Sequence, residues 1–373
     1  MKTRKPLKVV VVGAGVVGST ITYHLAQRDV EITILATGDP EWPASLISFA
    51  WVNARDKDPR YYHDLNRRSL DMWYRLAQRL GGDICTFGGE MRWTTTATGA
   101  SELKARVHQL QSWGYPIRAL IPAEVHALEP DVATGEITGG SYTELEFHVD
   151  APTFIESCLS AAIEHGARLE RHTKVVGLKT TSHESRTTVL AVVTNRGELP
   201  CDVVVLAGGA DNAKLASYAG LDMPVDHTFG ATIITEAVNP IFKNVAMLYT
   251  PRDRQPTMNI RQLKNGSVMI HGGSHYESIG RNNQDVESLV EAVSEYLPHL
   301  RKARIKEVRR GRRPMPKDGH PILGFPDAVP NLYLASMHSG FSLAALVGEF
   351  ATTEIVDQAR IDILEPFRLE RFL

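Results

Sequence analysis

Three observations predict an α/β protein, α+β overall, with one open parallel sheet and a second, mixed antiparallel-sheet domain. A continuous apolar, β-branched run at 7–12 leads without a gap into a glycine turn, Gly13-Ala-Gly15-Val16-Val17-Gly18, and then into a helical pattern. Such a run has the composition of a strand buried on both faces of a parallel sheet. Two more apolar strands end on glycine, at 201–209 and 331–340, whereas runs within 226–310 alternate apolar and polar residues as antiparallel strands do. The length of 373 residues suits about two domains.

The elements follow in order. A helix over 19–28 and a strand over 30–35 complete a strand–helix–strand unit of about thirty residues. The pattern from Pro59 to Leu80 is helical and stops at Gly81-Gly82. From about 90 to 148 short strand-like pieces surround one helix near 101–113, and Asp150-Ala-Pro then opens a helix through Glu164 with Gly166 as its stop. Strands are expected over 168–178, 187–194 and 201–206, then at 229–235, 257–263 and 267–272, with Lys264-Asn-Gly-Ser as a hairpin turn. A helix over 283–297, a strand over 331–336 and a long helix over 341–359 close the chain. This interleaving divides the chain into a discontinuous Rossmann-like domain of 1–90, 149–225 and 310–373, and a substrate domain of 91–148 and 226–309. No internal repeat or low-complexity linker interrupts it.

Composition narrows the classes. Hydrophobic residues at 43% and charged residues at 23% are ordinary for a globular chain. Lys plus Arg is 41 against 43 for Asp plus Glu, so a net charge of −2 offers no field for nucleic acid or an anionic membrane. The three cysteines, Cys85, Cys158 and Cys201, form no CxxC pair, which excludes a disulfide framework and points to a reducing, cytoplasmic setting. The apolar run behind the basic start is too short for a signal peptide, and no later run reaches the ~18 apolar residues of a membrane span. The Asn265-Gly-Ser sequon therefore carries no weight.

The glycine turn carries the strongest chemical signal. Its first glycine makes the tight turn, the second lets backbone approach a pyrophosphate, and the third allows close helix–strand packing with the phosphate at the helix N-terminus. In its strand–turn–helix setting it predicts a dinucleotide. The acid expected at the end of the second strand, to hold the adenosine ribose, is replaced by Ala36, and Asp39 comes three residues late. Either the nucleotide binds without that bond or the nucleotide differs. Two further turns, Leu206-Ala-Gly208-Gly209 and Ser336-Met-His338-Ser339-Gly340, end strands where ligands of open α/β sheets lie. Each alone reads equally as a helix cap. Together they favour FAD over NAD, because the isoalloxazine end of FAD needs contacts from late in the chain, whereas an NAD-type site needs only the first turn.

The chain resembles the D-amino-acid oxidase-like flavoenzymes: glycine oxidase, sarcosine oxidase and D-amino-acid dehydrogenase. The resemblance rests on VVVVGAGVVGSTITYHLAQRDVEITIL, ASLISFAWVNA, HVDAPTFIESCLSAAIEHGARL, CDVVVLAGGADNAKLA, GRRPMPKDGHPILG and NLYLASMHSGFSLAALVGE, which span residues 7 to about 350. It implies that Ser45 and Ser48 meet the pyrophosphate and flavin, and that backbone at Val175 holds adenine. It also implies that Gly208 and Gly209 lie near the pyrophosphate and ribityl chain, that His338, Ser339, Gly340 and Phe341 line the flavin pyrimidine edge, and that Arg313 pairs with a substrate carboxylate. The cysteine that bonds the flavin in sarcosine oxidases would fall near Gly311, so the FAD is expected to be non-covalent.

Arg313 also makes sense from chemistry alone, since a guanidinium fork grips a carboxylate in two places. The run Arg309-Arg310-Gly-Arg312-Arg313 reads equally as a solvated basic face. Arg261 is the next candidate anchor, and Tyr249, Tyr276, His148, His271, His275 and His320 are candidate pocket groups. None of the histidines has metal-ligand spacing. The expected activity is FAD-dependent oxidation of the C–N bond of a small amino acid or amine, with oxygen or a respiratory chain as electron acceptor. The alternatives are an NAD-dependent dehydrogenase and a non-catalytic flavin-binding subunit.

Overall fold

A computed structural model describes residues 5–38, 43–81, 83–254, 257–272 and 283–373. Among them a six-stranded sheet runs in the order Ile322–Gly324, Leu332–Ser336, Val203–Leu206, Leu7–Val12, Val30–Ala36, Arg168–Arg171. All its pairings are parallel except that of the Ile322–Gly324 edge. Alternate residues of the same strands serve two cores. Val9, Val11, Ile32, Ile34, Val203 and Val205 pack with residues of the helices Val16–Leu25, Ala151–Glu164 and Gly340–Val356. Val10, Val12, Leu35, Val204 and Leu206 pack on the other side with Val175, Val189 and Val192 of a three-stranded antiparallel sheet. Burial on both faces is what the unbroken apolar runs require.

The strand expected over 168–178 is two strands. Arg168–Arg171 ends the parallel sheet and Val175–His183 begins the antiparallel one. The chain turns between them at His172, whose φ of 55° is left-handed. Asp150 caps its helix as expected, accepting the Thr153 N–H at 3.0 Å.

The larger sheet has eight strands, in the order Ile305–Pro316, Val225–Ala237, Ser267–Gly272, Met258–Gln262, Met247–Tyr249, Glu90–Thr94, Gly139–Thr143, Arg118–Leu120. The hairpin between Met258–Gln262 and Ser267–Gly272 turns at Gly266, which has a φ of 85°. One face of this sheet joins a core with Val286, Leu289 and Val293 of the helix Asn283–Tyr296. The other face meets the region beyond the glycine turn: Thr232 donates to Ile47 O at 2.5 Å and Arg309 to Leu46 O at 3.1 Å. The expected divisions at 90, 225 and 309 fall at or inside strands of this sheet, each of which continues through them. A small sheet absent from the sequence reading joins Trp51–Val52 and Cys85–Thr86 through Phe147–Val149. Among the described residues no helix is long and apolar enough to cross a membrane.

Candidate active site

The three glycine turns come together at the carboxyl ends of the parallel strands. Gly13 has a φ of 107°, and a Cβ there would lie 2.3 Å from Ala207 O and 3.0 Å from the Gly208 α-carbon, so the first turn abuts the second. On Gly18 a Cβ would fall 1.9 Å from Gly13 O, which is the close packing that the third glycine permits. On Gly340 it would meet Val16 at 3.0 Å and Val17 at 3.6 Å, bringing the third turn against the first. Ser45 also reaches this cradle, where its Oγ accepts the Val16 N–H at 3.0 Å and lies 2.9 Å from where a Gly15 Cβ would be. Ser48 does something more local, closing a turn by accepting the Ala50 N–H at 2.9 Å.

Asn212, which sequence reasoning missed, holds two of the turns in place. It is fully buried, accepts the Gly208 N–H at 2.7 Å and donates to Leu206 O and Ala335 O at 3.3 and 3.2 Å. Its position four residues past Gly208 was the available signal. Gly209, with a φ of 62°, has open space where its Cβ would be. At the far end Ala36 pairs with Arg171, accepts the Thr173 N–H at 2.9 Å, and is followed by Gly38, whose Cβ would lie 2.5 Å from His172 Nδ1. Val175 is buried beside this end, and Asp39 lies outside the described residues. A backbone-lined cradle at a helix N-terminus, with glycine wherever a side chain would intrude, fits an extended dinucleotide.

The third turn gathers side chains that the sequence did not single out. Ser339 is buried, and its Oγ accepts hydrogen bonds from Lys57 Nζ at 2.8 Å and Tyr62 OH at 2.9 Å. Both lone pairs are then used, so the hydroxyl proton is left to donate onward. The adjacent His338 is exposed to the cleft but walled by protein. Burial first, then the positive charges of Lys57, Arg313 and His271, lower its pKa to about 3. Those groups are therefore near enough for their charges to act on His338.

The larger sheet supplies the opposite wall. Register pairs Arg92 with Tyr249, Tyr249 with Asn259, Asn259 with His271, His271 with Thr232, and Thr232 with Arg309. Paired residues share a face, so these side chains form one row across the sheet, with neighbours about 5 Å apart. Arg313 lies on the same face, two alternations from Arg309. Its side chain lies across the strand over Gly230, where a Cβ would meet Arg313 Nε at 2.9 Å, and it donates to Phe229 O at 3.2 Å. Burial, then the Arg313 charge, lowers the His271 pKa to about 4 against a hydrogen bond to the Ala231 backbone. Arg313, His271 and Tyr249 thus share one wall, joined by Asn259, whose half-buried position in an alternating strand could have flagged it.

Arg261 is a correction. It faces the same way but is 1% exposed, donating to His148 Nδ1 at 2.7 Å and Val149 O at 2.9 Å beneath the Phe49 ring. Burial lowers its pKa to about 9, and its guanidinium is already bonded to interior groups rather than presented at a surface. His148 accepts that contact through Nδ1, and His320 packs behind Tyr62, the residue bonded to Ser339, and beside Tyr61 and Asp318. His275 and Tyr276 lie outside the described residues.

A buried ionic network sets the segment that carries Trp51 and Lys57. Arg55 pairs with Glu90 and donates to Ser141 at 2.9 Å, while Arg92 bridges Glu90 at 2.6 Å and Asp56 at 2.6 and 3.0 Å. Burial would raise the Asp56 pKa, but Arg92 and Arg252 more than offset it and the group stays ionised. Truncating one member of such a network leaves an unpaired buried charge, so the segment is held tightly against the larger sheet.

Comparison with known proteins bears on this site. The chain is 24% identical to glycine oxidase of Geobacillus kaustophilus (strain HTA426) over 98% of this chain and 97% of that one. It is 23% identical to a component of the opine oxidase of Agrobacterium tumefaciens (strain Ach5), over 97% and 96% of the two chains. A crystal structure of the Geobacillus kaustophilus glycine oxidase superposes with a TM-score of 0.85 over 98% of this chain and all of that one, at 24% identity, which shows the common fold. The profile of the DAO family, described as FAD dependent oxidoreductase, matches residues 8–354 and so takes in all three glycine turns and both large sheets. The chain belongs to this family of FAD-dependent amino-acid and amine oxidoreductases, and FAD is its cofactor.

Proposed function

We propose that this enzyme oxidises the C–N bond of a small amino acid, with FAD bound non-covalently and the substrate carboxylate held by Arg313. The observation that carries this reading is that Tyr249, Asn259 and His271 stand in one row on the face of the larger sheet that also carries Arg313 over Gly230. The pyrophosphate would lie on the Gly13–Gly18 cradle with Ser45, and the pyrimidine edge of the flavin along His338–Phe341. Bound FAD supplies the hydride acceptor, N5, for the substrate α-carbon.

The chain's own residues do the rest. Arg313, laid flat over Gly230, offers its fork to the carboxylate and so sets where the α-carbon lies. The amine must be neutral, because its lone pair forms the C=N bond as hydride leaves the carbon. Arg313 and Lys57 make the space cationic, which disfavours an ammonium there, so no dedicated base is required. The imine then hydrolyses to a keto acid or aldehyde, releasing ammonia or an amine. The names of the relatives support an amino-acid or amine substrate, and oxygen or a respiratory chain would take the electrons.

The test is anaerobic mixing of the purified yellow protein with D-amino acids, glycine, N-methylated and cyclic imino acids. Bleaching by one or more of them is the expected result, and acid precipitation should leave the chromophore in the supernatant. A flavin that no amine bleaches would instead favour a non-catalytic flavin-binding subunit. Flavin remaining with the pellet would refute the non-covalent part.

A further inference from the structure

Lys57 and Tyr62 both donate to Ser339 Oγ, at 2.8 and 2.9 Å, although one stands in an irregular segment and the other in the first turn of the helix Arg60–Arg79. The backbone around them is gripped at two points. Arg106 of the helix Ala97–Ser112 donates to Asp58 Oδ1 at 2.9 Å and to Arg55 O at 3.2 Å. His320 supplies the second grip, with Nε2 3.2 Å from Asp58 O. A carbonyl only accepts, so Nε2 carries a hydrogen and His320 is the donor. The same ring makes a T-shaped contact with Tyr62, the centroids 5.0 Å apart at 77°, and Lys57 Nζ lies 5.9 Å from the centre of that Tyr62 ring. His320 is in turn fixed by the end of the chain. Its N–H donates to Asp318 Oδ1 at 3.0 Å, and Arg371 donates to Asp318 Oδ2 at 2.7 Å and to His320 O at 3.1 Å. Phe367 packs on Tyr62 and on His320, with centroids 6.0 and 6.4 Å apart.

We infer that His320, clamped by the C-terminal segment, is a positioning residue that holds Lys57 and Tyr62 on Ser339 and thereby tunes the electron affinity of the bound flavin. The inference rests on the reading that the flavin pyrimidine edge lies along His338–Phe341. A lysine side chain left to itself spreads its ammonium over many rotamers. Here the backbone next to it is pinned at Asp58 O, and the ring beside it is pinned by His320, so one arrangement on Ser339 Oγ is favoured. Two electrons arriving with one proton leave one negative charge on the flavin, and a cation held close by favours that state. A chain of direct contacts from Arg371 through Asp318 and His320 to Tyr62 and Lys57 therefore joins the last turn of the chain to the third glycine turn. Contact alone does not prove coupling, and a double-mutant cycle measures it.

The test poises the FAD-loaded enzyme against a redox dye of known potential and reads the ratio of oxidised to reduced flavin by absorbance. Letting the Lys57 cation drift off by a few ångströms should raise that ratio in His320→Ala by about threefold to tenfold. His320→Gln, which keeps an N–H donor for Asp58 O, should restore part of it. If His320→Ala does not hold FAD, His320→Phe, which keeps a ring against Tyr62 and loses the N–H, takes its place with the same expectation. The deciding measurement repeats the substitution in the Lys57→Met background, where the ratio should move no further, because the cation that His320 positions is gone. An equal shift in both backgrounds would overturn the inference, and so would an unchanged ratio when His320 alone is replaced. If Lys57→Met by itself leaves the ratio unmoved, the placement of the flavin beneath the inference fails, and the inference falls with it.

Discussion

Replacing Arg313 by alanine removes a half-buried guanidinium that crosses Gly230 and whose charge acts on His271 and His338. A bidentate grip on a carboxylate comprises two charge-assisted hydrogen bonds of about 1.5–3 kcal/mol each. Partial exposure screens the pair and Lys57 remains nearby, so the lower half of that sum, about 3–4 kcal/mol, is the appropriate figure. At about 1.4 kcal/mol per tenfold, kcat/KM for the amino acid should fall by roughly two to three orders of magnitude. FAD should stay bound, since Arg313 stands on the strand Ile305–Pro316 of the larger sheet, over Gly230, and not on the Gly13–Gly18 turn. Arg313→Lys should recover about one order, because an ammonium cannot reproduce the fork. Anaerobic flavin reduction measures both, and the decisive control is the amine that lacks the carboxylate, on which wild type and Arg313→Ala should perform alike. An equal loss on both substrates would show Arg313 to be structural. No loss on the acid would move the carboxylate along the row to Asn259 and Tyr249.

Other expectations concern the cofactor and the core. Ala36→Glu would place a carboxylate beside its register partner Arg171, so FAD affinity, followed by flavin fluorescence, should be unchanged or up to about tenfold tighter; a clear loss would mean that the His172 ring against Gly38 already fills the space. Lys57→Met removes a cation bonded to Ser339 and should lower the reduction potential of bound FAD. A unit charge roughly 7 Å away at an effective dielectric of about 20 is worth about 2 kcal/mol, or about 50 mV for two electrons, and an unmoved potential would place Lys57 away from the flavin. His24, mostly buried with Nε2 unpartnered, has its pKa lowered to about 4, chiefly by burial. Its folded pKa lies below the unfolded 6.5, so the unfolded chain binds the extra proton between those values and stability falls as pH drops through that window. The melting temperature of His24→Gln should therefore depend less on pH between about 6.5 and 4, and an unchanged slope would refute the assignment.

The parts legible in the sequence are those decided by local sterics and burial. Gly13, Gly15 and Gly18 announce their turn because a side chain at any of them would strike a neighbour at 1.9–2.9 Å, a constraint that the order of residues alone expresses. The strands Leu7–Val12 and Val203–Leu206 are unbroken apolar runs because both of their faces are covered, and Gly266 marks its hairpin because the turn needs a positive φ. The single strand read over 168–178 failed because nothing in its composition declares that His172 adopts a left-handed backbone.

What tertiary structure alone decided is which distant side chains share a space. Tyr249, Asn259, His271 and Thr232 stand in one row only because four strands pair in one register, and a slip of one residue would send each side chain to the other face. Arg261 and Arg313 are both arginines in strands of that sheet, equivalent by chemistry. The first is sealed beneath Phe49 and the second is half-buried across Gly230, a difference set by what packs over each strand. Lys57 and Ser339, 282 positions apart, meet because the ends of the parallel strands converge where the sheet opens. Strand and turn identity follow from neighbours along the chain, whereas the chemistry of the site follows from neighbours across it, which exist only once the two sheets have packed.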